Sequence, residues 1–248
     1  MNATRNKIWR LGILSLFVLN LLLQSTEAAP KKPSFTTIDP PGTSYSGAYG
    51  INAAGEIVGF YLDDNGNPHG YLLSHGHFRT IDPPGTTFSS TTGINPAGEI
   101  VGVYTDANSG THGYLLSHGH FSTIDFPGAF YTDAFGINPA EEIVGYYGDA
   151  NGALHGFLLS QGHFTTIAPP GTSYSGAYGI NAAGEIVGFY LDDNGGTHGY
   201  LLSHGHFSTI DPPGATYTAP FGINPAGEIV GHYGNGNGAL HGFLLEAR

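Results

Sequence analysis

FTTIDPPGTSYSGAYGIN, residues 35–52, returns as FTTIAPPGTSYSGAYGIN at residues 164–181, with Ala168 in place of Asp39 as the one change. Identity of this length within one chain marks a duplication, and the period behind it decides the fold. Phe35, Phe78, Phe121, Phe164 and Phe207 stand 43 residues apart, so five copies follow one another without a linker. From Phe35 to Gly66 the first copy differs from the fourth at one position in 32.

Each copy reads approximately F-x-T-I-D-x-P-G, an aromatic loop, G-I-N-x-x-G-E-I-V-G-x-Y, an acidic Asn-Gly turn, then H-G-[FY]-L-L-S-x-G-H. Short β-branched and aromatic runs separated by Gly, Pro and Asn predict strands and leave no stretch of helical period. Four strands fit in the first copy, over Tyr49–Asn52, Ile57–Leu62, Gly70–Ser74 and Phe78–Asp82. Asn95-Pro96-Ala97-Gly98 reads as a turn between the first two strands of its copy, and His75-Gly76 as a tight turn between the last two. Glu141 replaces the turn glycine in the third copy and is expected to strain it. Gly59, Gly102, Gly145, Gly188 and Gly231 lie inside the second strand, where the reason for glycine is close approach of a neighbouring backbone.

Four antiparallel strands per 43 residues predict an all-β fold, a five-bladed β-propeller. The repeats begin with a fourth-strand text, Phe35–Asp39, and run to a third-strand text, His241–Leu245, so the N-terminal strand is expected to complete the fifth blade and close the ring. The domain plan is a signal peptide over residues 1–28, a short segment over 29–34 and the repeat domain over 35–248. The leader reading rests on Arg5, Lys7 and Arg10 before the apolar run Leu11–Leu23, followed by small residues at a cleavage site. The run is short for a membrane span of about 20 residues. The expected compartment is therefore outside the cytoplasm: secreted, with the periplasm or cell surface as variants.

The chain carries a net charge of −12, and loss of three basic residues and one acidic residue with the leader takes it to about −14. Such a charge disfavours nucleic acid and anionic membranes as partners. There is no cysteine, so packing alone holds the fold. A monomer without membrane insertion is expected after cleavage.

G-I-N-x-x-G-E-I-V-G followed by H-G-F-L-L resembles the extracellular HAF repeats of bacteria, across Phe35 to Leu245. Gly70, Gly113, Gly156, Gly199 and Gly242 stand where the eponymous alanine would be, which marks a variant subgroup. The resemblance implies an exported bacterial repeat protein and supplies no catalytic residues.

The loops that join fourth to first strands and second to third strands open on one face of a propeller. That face receives Asp39, Asp82, Asp125 and Asp211, together with the aromatic series Tyr45, Phe88, Tyr131, Tyr174 and Tyr217. Ring faces stack on sugar C–H surfaces and carboxylates accept hydroxyl hydrogen bonds, so these nine residues are the candidate ligand contacts. The same aromatics could instead fill gaps between blades, and both readings stand at this level. His69, His112, His155, His198 and His241 are expected to bond a loop backbone or an aspartate rather than a metal. The acidic turns, such as LDDNG at residues 62–66, offer too few oxygens for calcium and read as hairpin turns. Glu56, Glu99, Glu142, Glu185 and Glu228 read as solvated strand-edge charges.

Near-identical copies supply like groups in like environments, whereas catalysis needs unlike ones. No nucleophile elbow, H-E-x-x-H or phosphate loop is present. The reading is a non-catalytic multivalent module for glycans or other extracellular ligands, with neither cofactor nor metal. A structural surface or matrix protein is the alternative, and a polysaccharide hydrolase or lyase comes third.

Overall fold

The computed structural model describes residues 34–43 and 45–246, so the expected leader lies outside the described residues. Residues 34–36 belong to a separate N-terminal unit and carry no regular structure. The remainder, from Thr37 onward, is an array of antiparallel strands with no helix among the described residues.

The first repeat unit holds β1 (Ser46–Ile51), β2 (Ile57–Leu62), β3 (Pro68–Ser74) and β4 (His77–Ile81). The second holds β5 (Phe88–Ile94), β6 (Ile100–Thr105), β7 (Thr111–Ser117) and β8 (His120–Ile124). The third holds β9 (Tyr131–Ile137), β10 (Ile143–Gly148), β11 (Leu154–Ser160) and β12 (His163–Ile167). The fourth holds β13 (Ser175–Ile180), β14 (Ile186–Leu191), β15 (Thr197–Ser203) and β16 (His206–Ile210). The last holds only β17 (Ala215–Ile223), β18 (Ile229–Asn235) and β19 (Leu240–Leu245). In each complete unit the strands pair in chain order, and one parallel bridge, Thr197 to Tyr217, ties the fourth unit to the fifth. The first strands β1, β5, β9, β13 and β17 pack in succession, which gives the radial arrangement of a β-propeller.

The expected fourth-strand text Phe35–Asp39 carries no strand, and β19 pairs with β18 alone among the described strands. The array therefore ends on two uncovered faces. Val58, Val101, Val144 and Val187 are wholly buried, each against the following unit, whereas their counterpart Val230 is 51% exposed. At the other end Ile51 is 67% exposed while Ile137 and Ile180 are buried. Full burial of each internal valine contributes about 1.5–3 kcal/mol, of which half-exposed Val230 gives up roughly half.

Polar groups tie one unit to the next. Asn95 accepts the amides of Ala97 and Glu99 at Oδ1, both at 3.0 Å, and donates from Nδ2 to Glu99 at 2.7 Å and to the carbonyl of Asn138 at 3.3 Å. The same cross-unit bond runs from Asn52 to Asn95, Asn138 to Asn181 and Asn181 to Asn224. The other carboxylate oxygen of Glu99 accepts from Ser117 at 2.6 Å. Glu99, only 5% exposed, is thus part of the frame, and the reading as a solvated edge charge is wrong for it; Glu56, Glu142 and Glu185 are half-buried with the equivalent Asn and Ser partners, and half-buried Glu228 keeps Asn224 alone. Their hydrogen bonds to Asn and Ser compensate the loss of water.

The glycines behave as expected of close contacts. A Cβ at Gly59 or Gly145 would collide with the carbonyl of Gly47 or Asp133 on the adjacent first strand. A Cβ at Gly70 would sit 2.7 Å from the carbonyl of Ile81 on β4, whereas at Gly242, which has no fourth strand beside it among the described residues, nothing lies closer than 3.9 Å. His75 and Gly76 both have positive φ, 51° and 79°, as a primed hairpin turn requires.

Glu141 occupies φ 58°, where Gly55, Gly98, Gly184 and Gly227 take 78–83°. Glycine removes the left-handed penalty but adds unfolded-state entropy, so Glu141→Gly is expected to stabilise the fold by up to about 1 kcal/mol. A rise in the urea midpoint at unchanged m-value would register it; a fall would contradict this account of the turn.

Candidate functional site

The strand-end aspartates answer to the histidines. His69 Nδ1 lies 2.7 Å from Asp82, His112 Nδ1 2.8 Å from Asp125, and His198 Nδ1 2.7 Å from Asp211. Asp82 also accepts from Ser89 of the next unit, as Asp39 does from Ser46 at 2.7 Å. The Nε2 side of each imidazole faces the acidic turn, at 3.2 Å for His155 to Asp149 and 3.4 Å for His198 to Asp192. Ala168 withholds the strand-end carboxylate from His155, which keeps only Asp149. These contacts match the expectation of histidine bonded to aspartate. The turn acids Asp63, Asp106, Asp149 and Asp192 accept two backbone amides of their own loop and are turn-formers; the Asn67 side chain for Asp63, and backbone amides first for the other three, hold their carboxyls below the usual range.

The predicted aromatics divide. Tyr45 is 58% exposed and tilts against Phe60, with ring centres 5.7 Å apart. Phe88 is half-buried at the start of β5. The Tyr217 hydroxyl meets His232 Nε2 at 2.7 Å. Tyr131 and Tyr174, from successive units, line one cavity of about 730 Å³. Its other walls come from the Asn108–Thr111 turn, Phe130, Asp133, Tyr146, Leu154, Tyr178 and Phe189. These parts sit at the start of first strands and around the turns between second and third strands, the face that sequence reasoning selected.

Of the lining, sequence reasoning named only Tyr131 and Tyr174, and three of the residues that escaped it break the repeat. Asp133 stands where the other copies have Gly47, Ser90, Gly176 and Ala219; Tyr146 stands where they have Phe60, Val103, Phe189 and His232. Phe130 replaces Ser44, Thr87, Ser173 and Thr216. The signal lay in the alignment of the copies, where Asp133 is the one charged residue in its column. Uniformity of environment, the ground for expecting like sites, therefore fails at the third copy. Gly148 completes the adjustment, since a Cβ there would strike the Tyr131 ring.

Burial raises the Asp133 carboxyl above its usual range, against a hydrogen bond from Tyr146 that lowers it, and Oδ1 has no hydrogen-bond partner. Burial and the Asp133 charge push the Tyr146 hydroxyl up, and burial takes Tyr178 up to about 12. Both phenols stay neutral donors at physiological pH. Tyr146 and Tyr178 stand edge to face at 6.4 Å, and Tyr178 stacks on Phe189 at 5.5 Å, so the aromatic walls brace one another.

No family model and no curated protein matches the chain. Solved structures do. TolB from Acinetobacter baumannii aligns at 16% identity and a TM-score of 0.62, over 82% of this chain and 52% of that one. A putative TolB from Agrobacterium tumefaciens aligns at 14% and 0.59, over 81% and 76%. One of two prolyl endopeptidases aligns at 12% and 0.56, over 83% and 34%. The chain spans about half the length of the Acinetobacter protein, and at these identities the likeness concerns the fold.

The hydrogen bond to Asp211 raises the His198 pKa above its ordinary 6.5, partial burial opposes the rise, and Asp192 adds to it. The pair's contribution is complete below pH 6.5 and fades as pH rises through the raised folded value. Asp211→Asn should lower the His198 midpoint in an NMR titration. It should also reduce stability by up to about 1 kcal/mol at pH 6, with the difference vanishing at higher pH. An unmoved midpoint would contradict the pairing.

Proposed function

We propose that the protein is a secreted, non-catalytic binding module for extracellular glycans, and that its principal site is the cavity shared by Tyr131 and Tyr174. The supporting observation is the convergence of two rim aromatics from successive units, braced by Tyr178 and Phe189, on one recess of ligand size. Exposed ring faces offer stacking to a sugar, and Tyr hydroxyls and Asp133 offer hydrogen bonds. Only one carboxylate lines the cavity, whereas glycoside hydrolysis commonly employs two, which favours binding over cleavage. Tyr45, Phe88 and Tyr217 act as weaker outlying contacts that add avidity on a polymer. Export through the leader and kinship with the HAF repeats belong to the same reading.

Tyr131→Ala with Tyr174→Ala should lower retention on immobilised polysaccharide at least tenfold while shifting the melting temperature by only a few degrees. Retention unchanged in a folded double variant would refute the site.

The reading includes a closed five-bladed ring, with Phe35–Asp39 as the outer strand of the fifth blade. His241 bonds only Asn235 and has no strand-end carboxylate, while Asp39 already holds Ser46 as Asp82 holds Ser89. Strand addition would supply His241 with Asp39 and cover Val230, Leu244 and Leu245, which are exposed on the last unit. Deletion of residues 35–41 should then lower the melting temperature or produce dimers through the bare edge. Equal melting temperature and a monomeric mass would rule closure out.

A further inference from the structure

Within an array whose first and fourth copies are almost the same text, the third copy changes Ser to Phe130, Gly to Asp133, Phe to Tyr146 and Leu to Gly148 relative to both. The first three line the same cavity and the fourth makes room for the Tyr131 ring. A carboxylate has been introduced into an aromatic recess, and its Oδ1 is buried without a hydrogen-bond partner. No basic residue lines the recess, so nothing of the protein's own neutralises that charge there.

A frame that bonds both oxygens of the buried Glu99 leaves Asp133 Oδ1 without a hydrogen-bond partner in the wall of this cavity. The geometry points to a cationic amino sugar as the ligand: its protonated amine pairs with Asp133, and its ring stacks among Tyr131, Tyr174 and Tyr178. This deepens the glycan reading of the cavity and rests on it. Aromatic faces and a carboxylate both favour an ammonium group, the former through the ring quadrupole and the latter through a charge-assisted hydrogen bond. A neutral sugar would leave the Asp133 charge without a counter-charge and so gain less. Because Asp133 occurs once, the chain should hold one such site, unlike the several equal sites that duplication suggests. The net charge of −12 also draws cationic polymers toward the surface.

Calorimetry on the full mature chain at pH 6, with hexamers of glucosamine, N-acetylglucosamine and glucose, tests this directly. The glucosamine hexamer should bind at one site per chain, roughly tenfold tighter than the other two. Asp133→Asn should remove that preference without lowering the melting temperature, because an unpaired buried charge is replaced by an amide. Tyr131→Ala should weaken all the hexamers that bind. Equal affinity for the three, or a glucosamine preference that survives Asp133→Asn, would overturn the amino-sugar assignment while leaving glycan binding intact. Failure of all three hexamers and of polysaccharide retention would overturn the glycan reading itself, and the assignment with it.

Discussion

One asparagine side chain in each of the first four units sets both its own turn and a bond to the next unit. Asn95 uses both lone pairs of Oδ1 on its own turn and both Nδ2 hydrogens elsewhere, one on Glu99 and one on the carbonyl of Asn138 in the following unit. An amide in this position has no unused hydrogen-bonding capacity. Because Asn95 is 1% exposed, any residue lacking one of those groups would strand a buried partner. The turn conformation and the spacing between neighbours are thereby set by the same side chain. The valine behind it can then bury itself completely against the next unit.

That coupling explains why variation is distributed as it is. The inward glycines, the Asn–Glu–Ser triad and the buried valine recur because backbones and polar partners leave no alternative space. Side chains at the mouths of the first and second strands touch no such frame element, so they can differ between copies. Asp133 and Tyr146 replace small or apolar counterparts there without disturbing the register of β9 and β10, which pair Asp133 with Tyr146 as the ladder demands. Stability thus resides in the repeated residues, whereas Phe130, Asp133 and Tyr146, which break the repeat, line the cavity. Burial of Asp133 Oδ1 without a hydrogen-bond partner is unfavourable for the fold.

The two ends of the array show the same physics by default. Among the described residues, Val230 is half exposed, Gly242 has open space where Gly70 has none, and His241 makes do with Asn235.

The strand pattern, the turn at Glu141 and the close-contact glycines were legible in the text because each is a local demand on backbone geometry, repeated five times. β2 occupies the residues expected of it, and β1 begins earlier, at Ser46, because the ladder to Tyr61 extends past the apolar run. Glu99 was misread because a carboxylate beside a turn looks solvated until its partners, Ser117 from another strand and Asn95 from the same turn, are seen to enclose it. Convergence is the part that no single copy encodes. Sequence determined a repeating all-β array and the face that bears its aromatics. Only the packing of three successive units could decide that Tyr131, Tyr174 and Asp133 share one cavity, because the distances between units depend on side chains 43 residues apart.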